Sequence, residues 1–244
     1  MAMFNGIDVS SAQGIIDWKK VKESGAVDFA ILRSSYGWQE IGDSQFDKQF
    51  KANVKGCEEN RIPYGIFHYS YCVKPENARK EARYFLKAIK EAGANPDYPL
   101  WFDIEDKTQA ALSKAVCTKI ASEFCDEIEK AGYRIGIYSY KNFLESKLEP
   151  WLLEKYDVWV AQVDVPKTTY KGEYTMWQHS WKGKVDGIAG KVDLDICYKD
   201  YINKENPPTG GEPTVRELLK EAENKSNELR DILNQINKSI NGGM

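Results

Sequence analysis

"LWFDIED" (residues 100–106) closes an apolar run on an aspartate and a glutamate two positions apart. Side chains in a strand alternate between its faces, so Trp101, Asp103 and Glu105 share one side and Leu100, Phe102 and Ile104 the other. Two anions held side by side in a half-buried setting repel each other. The stretch is therefore either a strand running out into a polar loop or a purposeful pairing of carboxylates. Its neighbours along the chain decide between these.

Working outward, "FNGIDV" (4–9), "DFAILRS" (28–34) and "PYGIFHYS" (63–70) have the composition of strands, and "YPLWFDIE" (98–105) is the fourth. Between them lie helix-period segments. Residues 17–25 open on Asp17 as a cap and stop at Gly25. Residues 43–60 line up Phe46, Phe50, Val54 and Cys57 on one stripe. Residues 75–93 run from Pro75 to Gly93 with Ala78, Ala82, Phe85, Leu86 and Ile89 facing inward. A helix over 113–132, a fifth strand "YRIGIYS" (133–139) and a helical region over 141–156, interrupted at Pro150, continue the rhythm. After that the helices stop. "YDVWVAQ" (156–162), "EYTMWQHS" (173–180) and "GKVDLDICY" (190–198) are strand-like and joined by short Gly-rich connections. Strand–helix units followed by bare strands predict the α/β class and a (β/α)-barrel lacking its last helices, with parallel pairing early and hairpin-like antiparallel pairing near the end. A doubly wound open sheet is the alternative, without a Gly-rich phosphate loop in its favour.

Composition narrows the function. The 244 residues are 42% apolar and 12% aromatic, enough for a large core, and the net charge of −3 with no dense Lys/Arg cluster sets nucleic acid aside. No apolar run is long enough to insert in a membrane, and "MAMFNGIDVS" lacks a signal-peptide pattern. The five cysteines include no CxxC pair and the two histidines, His68 and His179, are far apart, so neither a metal site nor another cofactor is expected. Residues 204–213, "KENPPTGGEP", read as a linker after a domain spanning 1–203. Residues 214–241 form an amphipathic helical pattern that opens on a Thr214–Glu217 capping box. A lone helix cannot be a domain. Docking, self-association into a homo-oligomer, or leading into a further module are open to it, and self-association is favoured.

In a (β/α)-barrel the chemistry sits at the C-terminal strand ends. Those ends deliver Asp8 from the first strand, Arg33 from the second, His68 and Tyr69 from the third, and Asp103 with Glu105 from the fourth. Tyr138, Gln162 and Gln178 follow from the next three, then Asp193 with Asp195 from the last, which closes against the first. Tyr36, Trp38, Tyr71, Trp177 and Trp181 crowd the same loops. Aromatic rings stack on pyranose faces, while Asp, Gln and Arg bond hydroxyls. Glycoside hydrolysis needs one carboxyl kept protonated beside another, and crowding supplies that tuning. A calcium or magnesium site is the competing use, without a ligand-dense loop to support it. His68 fits a hydrogen-bonded supporting role equally well, Arg33 one of neutralising the acids, and Trp159 and Met176 fit the core.

"FNGIDVSSAQGIIDWKKVKESGAVDFAILRSSYG", "GIFHYS", "WFDIED", "GIYSY", "VWVAQ", "MWQHS" and "VDLDICY" together resemble the family 25 glycoside hydrolases, the Chalaropsis-type lysozymes, from about residue 4 to 200. The resemblance implies a flattened barrel of eight strands and five helices. It also implies N-acetylmuramidase activity on the β-1,4 bond between N-acetylmuramic acid and N-acetylglucosamine in peptidoglycan. Glu105 would then be the general acid/base, Asp103 its charged neighbour, and Asp8 and Asp193 the rest of the catalytic set. Arg33, Tyr36, His68, Tyr69, Tyr138, Gln162, Trp177, Gln178 and Asp195 are the expected substrate contacts. Many relatives are phage endolysins with wall-binding modules after the barrel, where this chain has only the linker and helix. A phage or prophage enzyme, made in the host cytoplasm and reaching the wall after holin-type release or lysis, is the corresponding expectation.

Overall fold

The computed structural model describes residues 3–37, 45–202 and Lys225. The expected linker over 204–213, the helix over 214–241 (Lys225 apart) and Trp38 lie outside the described residues.

Eight strands close into one barrel in sequence order: β1 (Phe4–Val9), β2 (Phe29–Tyr36), β3 (Tyr64–Tyr69), β4 (Leu100–Asp103), β5 (Ile135–Tyr140), β6 (Asp157–Ala161), β7 (Met176–Gly183) and β8 (Val192–Cys197). Neighbours from β1 to β7 pair in parallel, β6 with β7 included, and β8 alone runs antiparallel, against both β7 and β1. The short connection before β7 therefore does not reverse the chain, as its length suggested; residues 162–175 pass back outside the barrel before re-entering. The reversed β8 brings its beginning, not its end, to the mouth.

Among the described residues there are seven helices: α1 (Trp18–Glu23), α2 (Phe50–Glu59), α3 (Pro75–Ala92), α4 (Lys107–Ala110), α5 (Lys114–Lys130), α6 (Lys141–Lys147) and α7 (Pro150–Lys155). The excess over five has two sources. Pro150, which has no N–H to continue a helix, starts α7 afresh, and α4 is a single turn nucleated by Asp106. The stripe read over 43–60 holds only from Phe50. Asp47 stops it by turning its carboxylate to the N–H of Gln49 at 2.9 Å, while Phe46 bridges to β2 and packs on Tyr84.

The pleat sorts the core into two layers. Leu100, Phe102 and Ile104 point outward, with Phe102 stacked on Phe124 of α5 at 4.1 Å. Trp101 points inward, against Trp159 and alongside Phe29, Phe67, Tyr138 and Met176. These inner rings need room, and glycines give it. A β-carbon on Gly6 would lie 2.2 Å from the Phe29 ring, and one on Gly136 2.3 Å from that of Trp101.

β2 carries one irregularity that matters. Arg33 pairs with Phe67, but Ser35 pairs with the next residue, His68, so Ser34 is an extra residue in the strand. The bulge resets the alternation. Arg33 and Tyr36, three apart and otherwise on opposite faces, both turn towards the mouth.

Candidate active site

The acids of the mouth arrive from three strands. Asp8 on β1 stands directly opposite Asp193 on β8, and Gly6 opposite Asp195, one pleat deeper. Directly opposed side chains in such a pair start about 5 Å apart. Asp103 ends β4 and Glu105 follows two residues later. The segment between them is pinned on both sides: the Ser70 N–H donates to the Asp103 carbonyl at 2.9 Å, the Ile104 N–H to the Tyr138 carbonyl at 3.1 Å, and the Ser139 hydroxyl to the Ile104 carbonyl at 2.5 Å.

Burial divides the set. Asp8, Asp103 and Asp195 are buried, whereas Glu105 and Asp193 stay partly open to the mouth. Asp8 Oδ2 accepts from Gln178 Nε2 at 2.7 Å, and Gln178 Oε1 in turn accepts from the Tyr138 hydroxyl at 2.8 Å and Trp181 Nε1 at 2.9 Å. Asp195 Oδ1 accepts from Trp159 Nε1 at 2.9 Å, and Asp103 Oδ1 has no hydrogen-bond partner among the described residues.

Such crowding holds protons. Burial, then the charge of Asp193, pushes Asp8 up to about 8 despite the Gln178 hydrogen bond. Burial, then Asp193 and Asp106, raises Glu105 to about 7, and burial raises Asp193 to about 6. Asp103 lies well above the carboxylate range through burial, Glu105 and Asp8, with Arg33 pulling the other way. Asp195 does so through burial and Asp8. At neutral pH the site thus combines a reachable carboxyl that still carries its proton with a reachable carboxylate, backed by acids that keep protons of their own.

The expected substrate contacts separate into four groups. Arg33, Tyr36 and Tyr69 line a cavity of about 510 Å³ beside the acids, with Ser11, Asp47 and Tyr71. Tyr138, Gln178 and Asp195 are all buried beneath the mouth, Gln178 bonding Asp8 and Tyr138, and Asp195 bonding Trp159. Gln162 turns its amide to Thr168 and Thr169, bracing the loop after β6. His68 and Trp177 face the other way. His68 is fully buried between Phe85 and Phe124, with Nδ1 2.8 Å from the Ser35 hydroxyl. Trp177 sits in the outer core layer with Nε1 donating to the Gln162 carbonyl. The correction follows from period two, since His68 precedes inward Tyr69 and Trp177 precedes inward Gln178.

Sequence reasoning missed Asp47, and it placed Tyr71 and Trp181 only among the aromatics crowding the mouth loops. Asp47, its side chain wholly buried, takes the Arg33 guanidinium at 2.8 Å and the Ser11 N–H at 2.9 Å; no local pattern announces this pairing across the chain. Trp181 is 52% exposed yet tethered through Gln178 to Asp8, a platform beside the acids. A larger cavity of about 760 Å³, between α7 and residues 170–175, contains none of these groups.

Residues 7–188 match the family model of the glycosyl hydrolases family 25. The chain belongs to that family. This family 25 hydrolase is 27% identical over 190 residues to the autolytic lysozyme of Clostridium acetobutylicum, covering 78% of its own length and 54% of that protein. It is 31% identical over 199 residues to the uncharacterized protein YegX of Escherichia coli (strain K12), covering 79% and 68%. Among solved structures, the modular autolysin LytC from Streptococcus pneumoniae superimposes with a TM-score of 0.69 at 28% identity over 80% of this chain and 47% of that one. The bacterial lysozyme from Streptomyces coelicolor does so with 0.67 at 25% identity over 80% and 92%. The hydrolase therefore spans about half the length of the autolysins it matches. The family match ends before β8, and the pairing of β8 with β1 is what brings Asp193 and Asp195 to the site.

Proposed function

We propose that this hydrolase is a lysozyme of the N-acetylmuramidase type, cutting the β-1,4 bond between N-acetylmuramic acid and N-acetylglucosamine in peptidoglycan. The observation that carries the reading is the Glu105 carboxyl, raised to about 7 at an open position beside Asp193. Glu105 gives its proton to the glycosidic oxygen as the bond to the anomeric carbon breaks, freeing the N-acetylglucosamine hydroxyl. It then takes a proton from the water that completes hydrolysis. Asp103, buried next to it, is itself kept protonated by burial and by the charges of Glu105 and Asp8. Asp193 is the ionised carboxylate nearest the developing positive charge, with Asp8 held behind it by Gln178. The attacking group is a carboxylate of this set or the acetamido oxygen of the substrate, and Glu105 serves either course. Arg33, Tyr36 and Tyr69, with Tyr71 and Trp181, would form the walls that receive the sugar rings.

Relatives named as lysozymes, and the pneumococcal autolysin solved with a synthetic peptidoglycan ligand, support the same substrate. Clearing of purified Gram-positive walls, with Glu105→Gln as control, tests the activity. Mass spectrometry of the fragments tests the bond: reducing N-acetylmuramic acid ends are expected, and reducing N-acetylglucosamine ends would overturn the assignment. A native chain that binds walls without clearing them would mark a glycan-binding barrel instead.

A further inference from the structure

A second fully buried acid besides Asp47 lies outside the acidic mouth among the described residues. Glu81, on the inner side of α3, is 0% exposed, although an unpaired carboxylate is costly there and an apolar side chain would be easier to accommodate. Its Oε2 accepts from the Ser70 hydroxyl at 2.6 Å and its Oε1 from the Tyr71 N–H at 3.0 Å, with His68 Nε2 in contact at 3.5 Å. Ser70 passes the connection on, accepting from Gln109 Nε2 at 3.0 Å. Gln109, also 0% exposed, donates to the Cys72 carbonyl and accepts the Asp106 N–H on Oε1 at 3.2 Å. Asp106 follows Glu105 directly, and its Oδ2 takes the Tyr69 hydroxyl at 3.4 Å. An unbroken chain of hydrogen bonds thus runs from α3 to the peptide unit beside the proton donor.

We propose that Glu81, acting through Ser70 and Gln109, is a positioning residue for Glu105. The carboxylate fixes the hydroxyl of Ser70 as a donor towards itself, which leaves the Ser70 lone pairs for Gln109 and the Cys72 N–H, donating at 3.1 Å. Gln109, so oriented, must turn its carbonyl to Asp106 and clamps the turn that starts α4. A neutral amide at position 81 would donate to Ser70 and compete with Gln109 for it, while filling the same volume. The inference rests on the muramidase reading only for what Glu105 does, not for how it is held.

Glu105 is faced by Asp193 from β8, Asp8 from β1, Asp103 on its own strand, Asp106 beside it, Tyr69 from β3, and Tyr138 and Tyr140 from β5. Releasing the turn frees Asp106 to swing to water and removes one of the charges that favour the protonated acid.

The test uses the full chain with Glu81→Gln and Gln109→Leu, and Ile128→Val in α5 as a core change of comparable stability cost away from the network. Carbon-13 NMR follows the Glu105 carboxyl, assigned by its loss in Glu105→Gln, while kcat and KM are measured on glycan strands. Both network variants are expected to lower the Glu105 midpoint by about half a unit and kcat by about tenfold, with KM within about twofold of native. Ile128→Val is expected to change neither. A Glu105 midpoint and kcat equal to native in both variants, or the same changes in Ile128→Val, would overturn the proposal. A native chain that fails to cleave glycan strands would overturn the muramidase reading instead, and the titration alone would then judge the network.

Discussion

At the scale of residues, the site works because its carboxyls are unequal. Glu105 at about 7 must keep its proton and Asp193 at about 6 must lose its own, so wall-clearing should be bell-shaped in pH, highest between these values and falling on both sides. The limbs belong to the coupled set, not to single groups. Undiminished activity at about pH 9 would remove Glu105 as the acid. Gln178 is the other decisive residue, since one amide serves Asp8, Tyr138 and Trp181 together. Gln178→Leu strands a buried carboxyl and a buried hydroxyl, and should cost about 2–4 kcal/mol in urea unfolding and nearly all activity. An unchanged midpoint would show that water replaces the clamp. The acids themselves were legible in the chain because a strand's alternation is local. Their proton affinities were not, because burial and charges from other strands set them.

At the scale of elements, small residues decide what the barrel can hold. Gly6→Ala pushes a methyl into the Phe29 ring and should lower stability by about 3 kcal/mol, with Phe29→Leu restoring part of it in the double variant. Additive losses in thermal unfolding would contradict that contact. The bulge at Ser34 has a different consequence. Removing Ser34 leaves Arg33, Ser35 and Tyr36 in plain alternation against Phe67, His68 and Tyr69, so Tyr36 should keep facing the mouth and KM should stay within about twofold of native. A KM raised by about tenfold or more in the deletion variant would show that Ser34 is not the inserted residue. Nothing in "ILRSSYG" marks which serine is extra; the pairing with β3 does. By contrast, the outward turn of His68 and Trp177 was readable, because each adjoins a residue that points in.

At the scale of the molecule, the acidic mouth makes the fold sensitive to alkali. Asp8, Glu105 and Asp193, at about 8, 7 and 6, all lie above their ordinary values of 3.8, 4.5 and 3.8. The folded chain therefore binds protons that the unfolded chain has already released. The stability they contribute is complete below about pH 4 and is lost as pH rises through the folded values. The melting temperature should fall between about pH 5.5 and 8.5. Asp195→Asn, which copies the protonated acid and keeps the bond from Trp159, should recover part of the loss at the alkaline end. A flat profile would mean that the cluster is hydrated in the folded state. From the sequence alone came the order of strands and helices, the barrel class, and the meeting of Asp8, Asp103, Glu105 and Asp193 at one end. These depend on periodicity and turn chemistry, which act over a few residues. Only the tertiary structure decided that β8 alone is reversed, that Tyr36 faces the mouth, that Asp47 holds Arg33, and which carboxyls keep their protons. Those depend on strand closure and on charges brought together from distant parts of the chain, where the fields of several strands add.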